Sequence, residues 1–274
     1  MLFPLYDLNP HRRIPWLTLA IIAANFIVFL WSTSRGQDGM QLVALQYGFV
    51  PARLTEIGSG KPVDAPKLGI DPRTGEIQKV GEVPLSTRAA DVYPTFLTAM
   101  FLHGGWMHII MNMWMLWIFG NNIEDRLGHL LYVGYYLVGG VLATLCHWVV
   151  EQNSEIPVVG ASGAVATVLG GYALTYPTAK VRTVVFFFLI TIVDLPALVL
   201  LGIWFVLQLA SGLVQLGGVV VEPVAFWAHI GGFVAGMILM PILSLGASPP
   251  GTDWREESDD MFRFDDPRWS NSER

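Results

Sequence analysis

The chain has 274 residues, 53% hydrophobic and 14% charged, with a formal net charge of -6 and a mean hydropathy of +0.50. That make-up excludes an ordinary soluble domain, and the acidic balance carries no nucleic-acid signature. Its single cysteine, Cys146, lies in an apolar stretch, which excludes a disulfide framework and predicts a buried structural thiol.

Residues 1–13 form an N-terminus that ends in His11-Arg12-Arg13 and runs straight into an apolar segment without a signal-peptide cleavage pattern. That segment is expected to stay as a span. Apolar runs occur at 14–32, 101–120, 130–150, 160–176, 195–214 and 224–243. A helical span needs about 20 apolar residues, so these runs predict six spans. The stretch 184–193 is too short to cross and meets Asp194-Leu195-Pro196, which predicts an interfacial or re-entrant piece. Between the first two spans, residues 32–94 are rich in Gly and Pro and predict a long loop outside the cytoplasm. Residues 245–274 are acidic and lack apolar periodicity, which predicts a disordered cytoplasmic tail. The expected fold is an all-α membrane protein whose bundle covers residues 14–244. Arg12 and Arg13 before the first span and Lys180 and Arg182 after the fourth put both termini in the cytoplasm by the positive-inside rule. The expected location is a bacterial inner membrane, crossed several times.

With that orientation the even-numbered spans begin at the outer face. Ser162 in the fourth, His229 in the sixth, and His108 with Asn112 in the second then fall within roughly 10 Å of one face, at 1.5 Å rise per residue. Ser162, Ala166, Gly170 and Ala173 share one stripe of their helix, and His229, Gly232, Gly236 and Met240 share one of theirs. Seams of small residues let helix backbones approach closely in lipid. A serine hydroxyl becomes a nucleophile when an imidazole takes its proton, so Ser162 is the expected nucleophile and His229 the expected base, then acid. His108 and Asn112, four residues apart, project from one face with N–H donors. With the backbone N–H of Ser162 at a helix N-terminus, they form a candidate oxyanion site. With no acidic residue at this depth, the arrangement reads as a Ser-His dyad. Singly, each motif has a plain packing explanation: small residues mediate most membrane helix contacts, and His108 with Asn112 reads equally well as an interhelical hydrogen-bond pair. Their agreement in depth and facing favours an enzyme.

The chain resembles the rhomboid family of intramembrane serine proteases. The match lies in the run from Phe101 through His103-Gly104-Gly105-Trp106-Met107-His108 to Asn112, the Phe119-Gly120, Glu124 and Gly128 turn, Gly160-Ala161-Ser162-Gly163, and Ala228-His229-Ile230-Gly231-Gly232. The resemblance implies a six-helix core with Ser162 as nucleophile, His229 as general base, and His108 and Asn112 lining the oxyanion site. It implies transmembrane protein substrates with a single span, met within the lipid bilayer, and neither cofactor nor metal. Two departures stand out. The long loop lacks a Trp-Arg pair, and its 61–91 portion reads as an insertion. Position 166, where an aromatic often stacks on the histidine, is Ala166. The rival reading is a non-catalytic rhomboid-like factor that binds membrane proteins.

Overall fold

The computed structural model describes residues 2–70, 73–74, 77–186, 190–217 and 224–245. A strand, β1 (Leu2–Asp7), precedes the first long helix, α1 (Trp16–Thr33). The long connection holds α2 (Gly36–Tyr47), α3 (Pro51–Thr55), the hairpin β2 (Val63–Ile70) and β3 (Ile77–Leu85), α4 (Ala89–Val92), and α5 (Thr95–Thr98) with a 3-10 turn (Ala99–Phe101). Then follow α6 (Trp106–Leu127), α7 (His129–Val150) and α8 (Ser162–Thr175). Strands β4 (Lys180–Phe186) and β5 (Ile190–Pro196) lead into α9 (Ala197–Leu216) and α10 (Phe226–Leu243).

Each expected span is a helix. Of these, α1, α7, α9 and α10 are long and apolar enough to cross a membrane, and the chain is an integral membrane protein of mainly helical fold. Helix α8 has only 14 residues, and α6 ends in the polar run Asn121, Asn122, Glu124, Asp125 and Arg126.

The all-α expectation needs correcting on the strands. Of the stretch 184–193, expected as an interfacial or re-entrant piece, the described residues 184–186 and 190–193 are strand, paired antiparallel as parts of β4 and β5, to which β1 adds in the order β1-β4-β5. Its β-branched residues, Val184, Val185, Ile190, Thr191, Ile192 and Val193, fit a pleated surface better than a helix. Arg182 donates from Nε and Nη2 to the two carboxylate oxygens of Asp194 across the pair, at 2.8 and 2.9 Å. The N-terminus, read as a plain lead-in, supplies the edge strand. Within 61–91 the expected insertion is the β2–β3 hairpin. Its Ala65 and Leu85 bury against Leu45 and Val50 of the same connection. Buried Arg53 ties that connection together, donating to the carbonyls of Ser86 and Asp91 at 2.9 and 3.0 Å. The expected tail, apart from Leu245, lies outside the described residues.

Helix α1 starts after Pro15 with no side chain of its own to cap it. The unpaired N–H groups of a first turn need acceptors, and a carboxylate also suits the positive end of the helix dipole. Glu124 of α6 provides both. Fully buried, it accepts from the N–H groups of Leu17 and Thr18 at 2.9 and 2.8 Å and from the Thr18 hydroxyl at 2.7 Å. Exposed His129 opens α7 and places Nδ1 2.6 Å from Glu124 Oε1. Gly128, at φ +75°, makes the tight turn from α6 to α7. Glu124 therefore joins three helices, α1, α6 and α7.

The tightest helix pair is α8 with α10. A Cβ on Gly170 would overlap the Phe233 carbonyl oxygen, and one on Gly236 would overlap that of Thr167. The hydroxyl of buried Tyr135 on α7 points its one proton at two carbonyls of the seam, nearer to Thr167 O at 2.6 Å than to Gly236 O at 3.1 Å. Such interhelical bonds are worth about 0.6–2 kcal/mol each in a membrane. Gly236→Ala is expected to cost about 1–3 kcal/mol by overpacking. It should lower the unfolding midpoint in detergent, and Gly236→Val should lower it further.

Beneath the bundle, Asp7 Oδ2 accepts from Asn122 Nδ2 and the Tyr172 hydroxyl, both at 2.7 Å. Burial pushes the Asp7 carboxyl up to about 7 from 3.8. A carboxyl whose folded pKa is raised adds stability in full below its unfolded pKa and loses it as pH rises through the folded one. The unfolding midpoint should therefore fall between about pH 4 and 7. Asp7→Asn should flatten that slope in a thermal unfolding series.

Candidate active site

Ser162 opens α8, and the approach to it is made by Gly160 at φ +128°. That conformation is open to glycine and strained for a side chain. A Cβ there would also lie 2.8 Å from Cε1 and Nε2 of His108 and 3.6 Å from Ser162 Oγ, so the His108 ring and the hydroxyl flank the same bare backbone. The turn is pinned by the Gly160 N–H on the Ala99 carbonyl at 2.9 Å. The Ala161 N–H points to His103 Nε2 at 3.5 Å. His103 is buried, with its ring edge-on to His108 at 5.1 Å.

His108 and Asn112 stand one turn apart at the start of α6. The Gly104 N–H approaches His108 Nδ1 at 3.4 Å. With Nδ1 as acceptor, the neutral ring carries its proton on Nε2, the atom facing Gly160. Asn112, buried, donates one amide N–H to the His108 carbonyl at 2.9 Å and keeps a second to give. Of these two α6 residues, the His108 ring is the one that borders the turn leading to Ser162 at the N-terminus of α8.

His229 lies in the first turn of α10. The seam sets its height: a Cβ on Gly232 would overlap the Gly163 carbonyl oxygen, and one on Gly163 would sit 3.9 Å from Ala228 Cβ. Ser162 and His229 are the sequence neighbours of Gly163 and Ala228, at the close approach of the two helices. Both side chains are half-buried. Ala166 is fully buried and faces Gly232, too small to stack on an imidazole. The surroundings of the ring come instead from α9 and α10: Trp204 at 6.0 Å, tilted by 33°, and Phe226 edge-on at 6.5 Å. Nδ1 of His229 lies 2.7 Å from Oε1 of Gln208 on α9.

Sequence reasoning missed Gln208. The available signal was an amide in the middle of the most apolar span, since polar residues inside spans face partners. Cys146 packs on Gly231, where a Cβ would overlap it, and is half-buried, more open than expected. His147, buried on α7, has no partner for Nδ1 among the described residues. Among the described residues no group of three or more His, Cys, Asp or Glu has metal-holding geometry.

Residues 90–246 match the Rhomboid domain family. RHOMBOID-like protein 5 of Arabidopsis thaliana is 26% identical over 286 residues, covering 93% of this chain and 84% of that protein. From the same plant, RHOMBOID-like protein 6, mitochondrial, is 28% identical over 254 residues, with 88% and 72% covered. Rhomboid-like protein 11, chloroplastic, is 30% identical over 151 residues, and the match spans 54% of this chain and 52% of that relative. With the Rhomboid domain matched over more than half of its length, the chain belongs to the rhomboid family.

Proposed function

We propose that this rhomboid is an intramembrane serine endopeptidase that cuts single-span membrane proteins in or near their transmembrane segment. The observation that carries the reading is the junction of α8 with α10, where the backbones beside Ser162 and His229 meet and the His108 ring borders Ser162.

Strand pairing supports six crossings. Phe49, after α1, pairs with Val158, after α7, so an even number of crossings separates them. Helix α7 is long and apolar enough to be one, and α6 supplies the second. β1 pairs with β4, after α8, so the crossings between those strands are also even in number. With α1, α6 and α7 counted, α8 completes the set. On this count α6, α8 and α10 all begin at one face, with His108, Ser162 and His229 each within the first turn, about 5 Å of helix. Arg12, Arg13, Lys180 and Arg182 favour the cytoplasm for the opposite face and both termini. The proposed setting is a bacterial inner membrane; the mitochondrial and chloroplastic labels belong to the relatives that carry them.

In the proposed reaction Ser162 Oγ attacks the scissile carbonyl carbon as His229 Nε2 takes the hydroxyl proton. The oxyanion accepts from the Ser162 N–H, His108 Nε2–H and the free Asn112 N–H, each donor worth on the order of 3 kcal/mol. His229 returns the proton to the leaving nitrogen as the C–N bond breaks, leaving an ester on Ser162. Water, deprotonated by His229, then hydrolyses that ester.

A fluorophosphonate probe should label the folded wild type at Ser162, with labelling lost in Ser162→Ala and His229→Ala. Absence of wild-type labelling would favour the non-catalytic binder. Asn112→Ala should keep the fold and lower kcat on a quenched fluorescent transmembrane peptide by roughly 10²-fold. Unchanged turnover would remove Asn112 from the oxyanion site.

A further inference from the structure

Helix α9 meets α10 along one stripe, with Leu201, Trp204, Phe205, Gln208 and Gly212 facing the partner. Phe205 stacks on Phe233 at 4.9 Å, Trp204 lies 6.0 Å from the same ring, and Gly212 makes room for Trp227 and Ile230. Beside the stripe, Val206 and Leu207 are 61% and 59% exposed, as a lipid-facing surface would be. The stripe is apolar except at Gln208, which is level with His229, and at Gln215 two turns on, whose Oε1 is buried without a partner among the described residues. Taking an amide out of water without a partner costs about 1–3 kcal/mol, and of the two amides it is Gln208 that has a partner.

Its carbonyl end lies 2.7 Å from His229 Nδ1. With the amide oxygen placed toward the ring, the contact is satisfied by an Nδ1–H donor, and the neutral ring then has its lone pair on Nε2. That is the tautomer a serine-activating base requires, and in hydrolytic triads a carboxylate behind the histidine enforces it. Trp204, one turn before Gln208, borders the ring on the same side. Resting on the peptidase reading above, we propose that Gln208 is the positioning residue of this site: an uncharged third member that fixes the tautomer and heading of His229. It stands where an aromatic at position 166 would otherwise hold the ring, and it makes the base competent only while α9 is docked on α10.

The test compares full-length wild type with Gln208→Met, which keeps length and loses the acceptor, and Gln208→Glu, which keeps an acceptor oxygen. Kinetics on the transmembrane peptide are read with the unfolding midpoint and the ¹⁵N spectrum of labelled histidine. Gln208→Met should lower kcat at least about tenfold, short of the roughly 10⁴-fold lost when a charged triad partner is replaced, with KM and midpoint unchanged. Its spectrum should lose the Nδ1-protonated signal of His229. Gln208→Glu should retain kcat within a few-fold of the wild type. Wild-type kcat in Gln208→Met, or equal losses in the Met and Glu variants, would overturn the assignment. A wild type that neither labels nor cleaves, yet shows the Nδ1-protonated His229 signal, would instead sink the peptidase reading and leave the contact standing.

Discussion

In lipid the surroundings of a helix are as apolar as its neighbours, so hydrophobicity does little to press spans together and contact rests on close packing and hydrogen bonds. Everything at the candidate site depends on one such contact, that of α8 with α10. Glycines at 163, 170, 232 and 236 strip the seam to backbone, and Tyr135 fastens it from α7. A seam this narrow leaves little freedom in height or rotation, so the residues at its upper end are positioned by its whole length. The reactive groups need no rigid element of their own.

Polar groups bracket the bundle at both ends, with different duties. At one end buried Glu124 gathers donors from α1 and part-buried Asp7 accepts from α6 and α8, so that the helices are locked together there. At the other stand Ser162, His108 and His229, each half-buried. Helix α9 is anchored at its start, where Ala197, Leu200 and Leu201 join the main core, and farther along it meets α10 through aromatic rings and Gln208.

The helices could be read from apolar run length because each expected span became one, shifted by a few residues at its ends. The three-stranded sheet could not. A ten-residue apolar run such as 184–193 suits a short helix or a strand equally, and the deciding partner, β1, lies at the opposite end of the sequence. The β2–β3 hairpin was hidden by a composition of Gly and Pro that reads as loop. For the site, residue types and depth pointed to Ser162, His229, His108 and Asn112, since each carries its chemistry in its identity. Gln208 does not: its role follows from which face of α9 meets α10, and no local pattern encodes that. Glu124 is a similar case, recognised as structural but with its main partner, the start of α1, more than a hundred positions away.

The β1–β4 pairing also sets a timetable for biogenesis. Leu2 pairs with Val185, so at about 5–20 residues per second the ribosome works for roughly 10–40 s between making the first strand and its mate. Throughout that interval β1 offers unsatisfied edge groups at the membrane surface, the kind of template that recruits foreign strands. The helices α1, α6, α7 and α8 are all made before the strand can be covered. The small sheet is therefore a late clasp, closing only after the helix that carries Ser162 has been delivered.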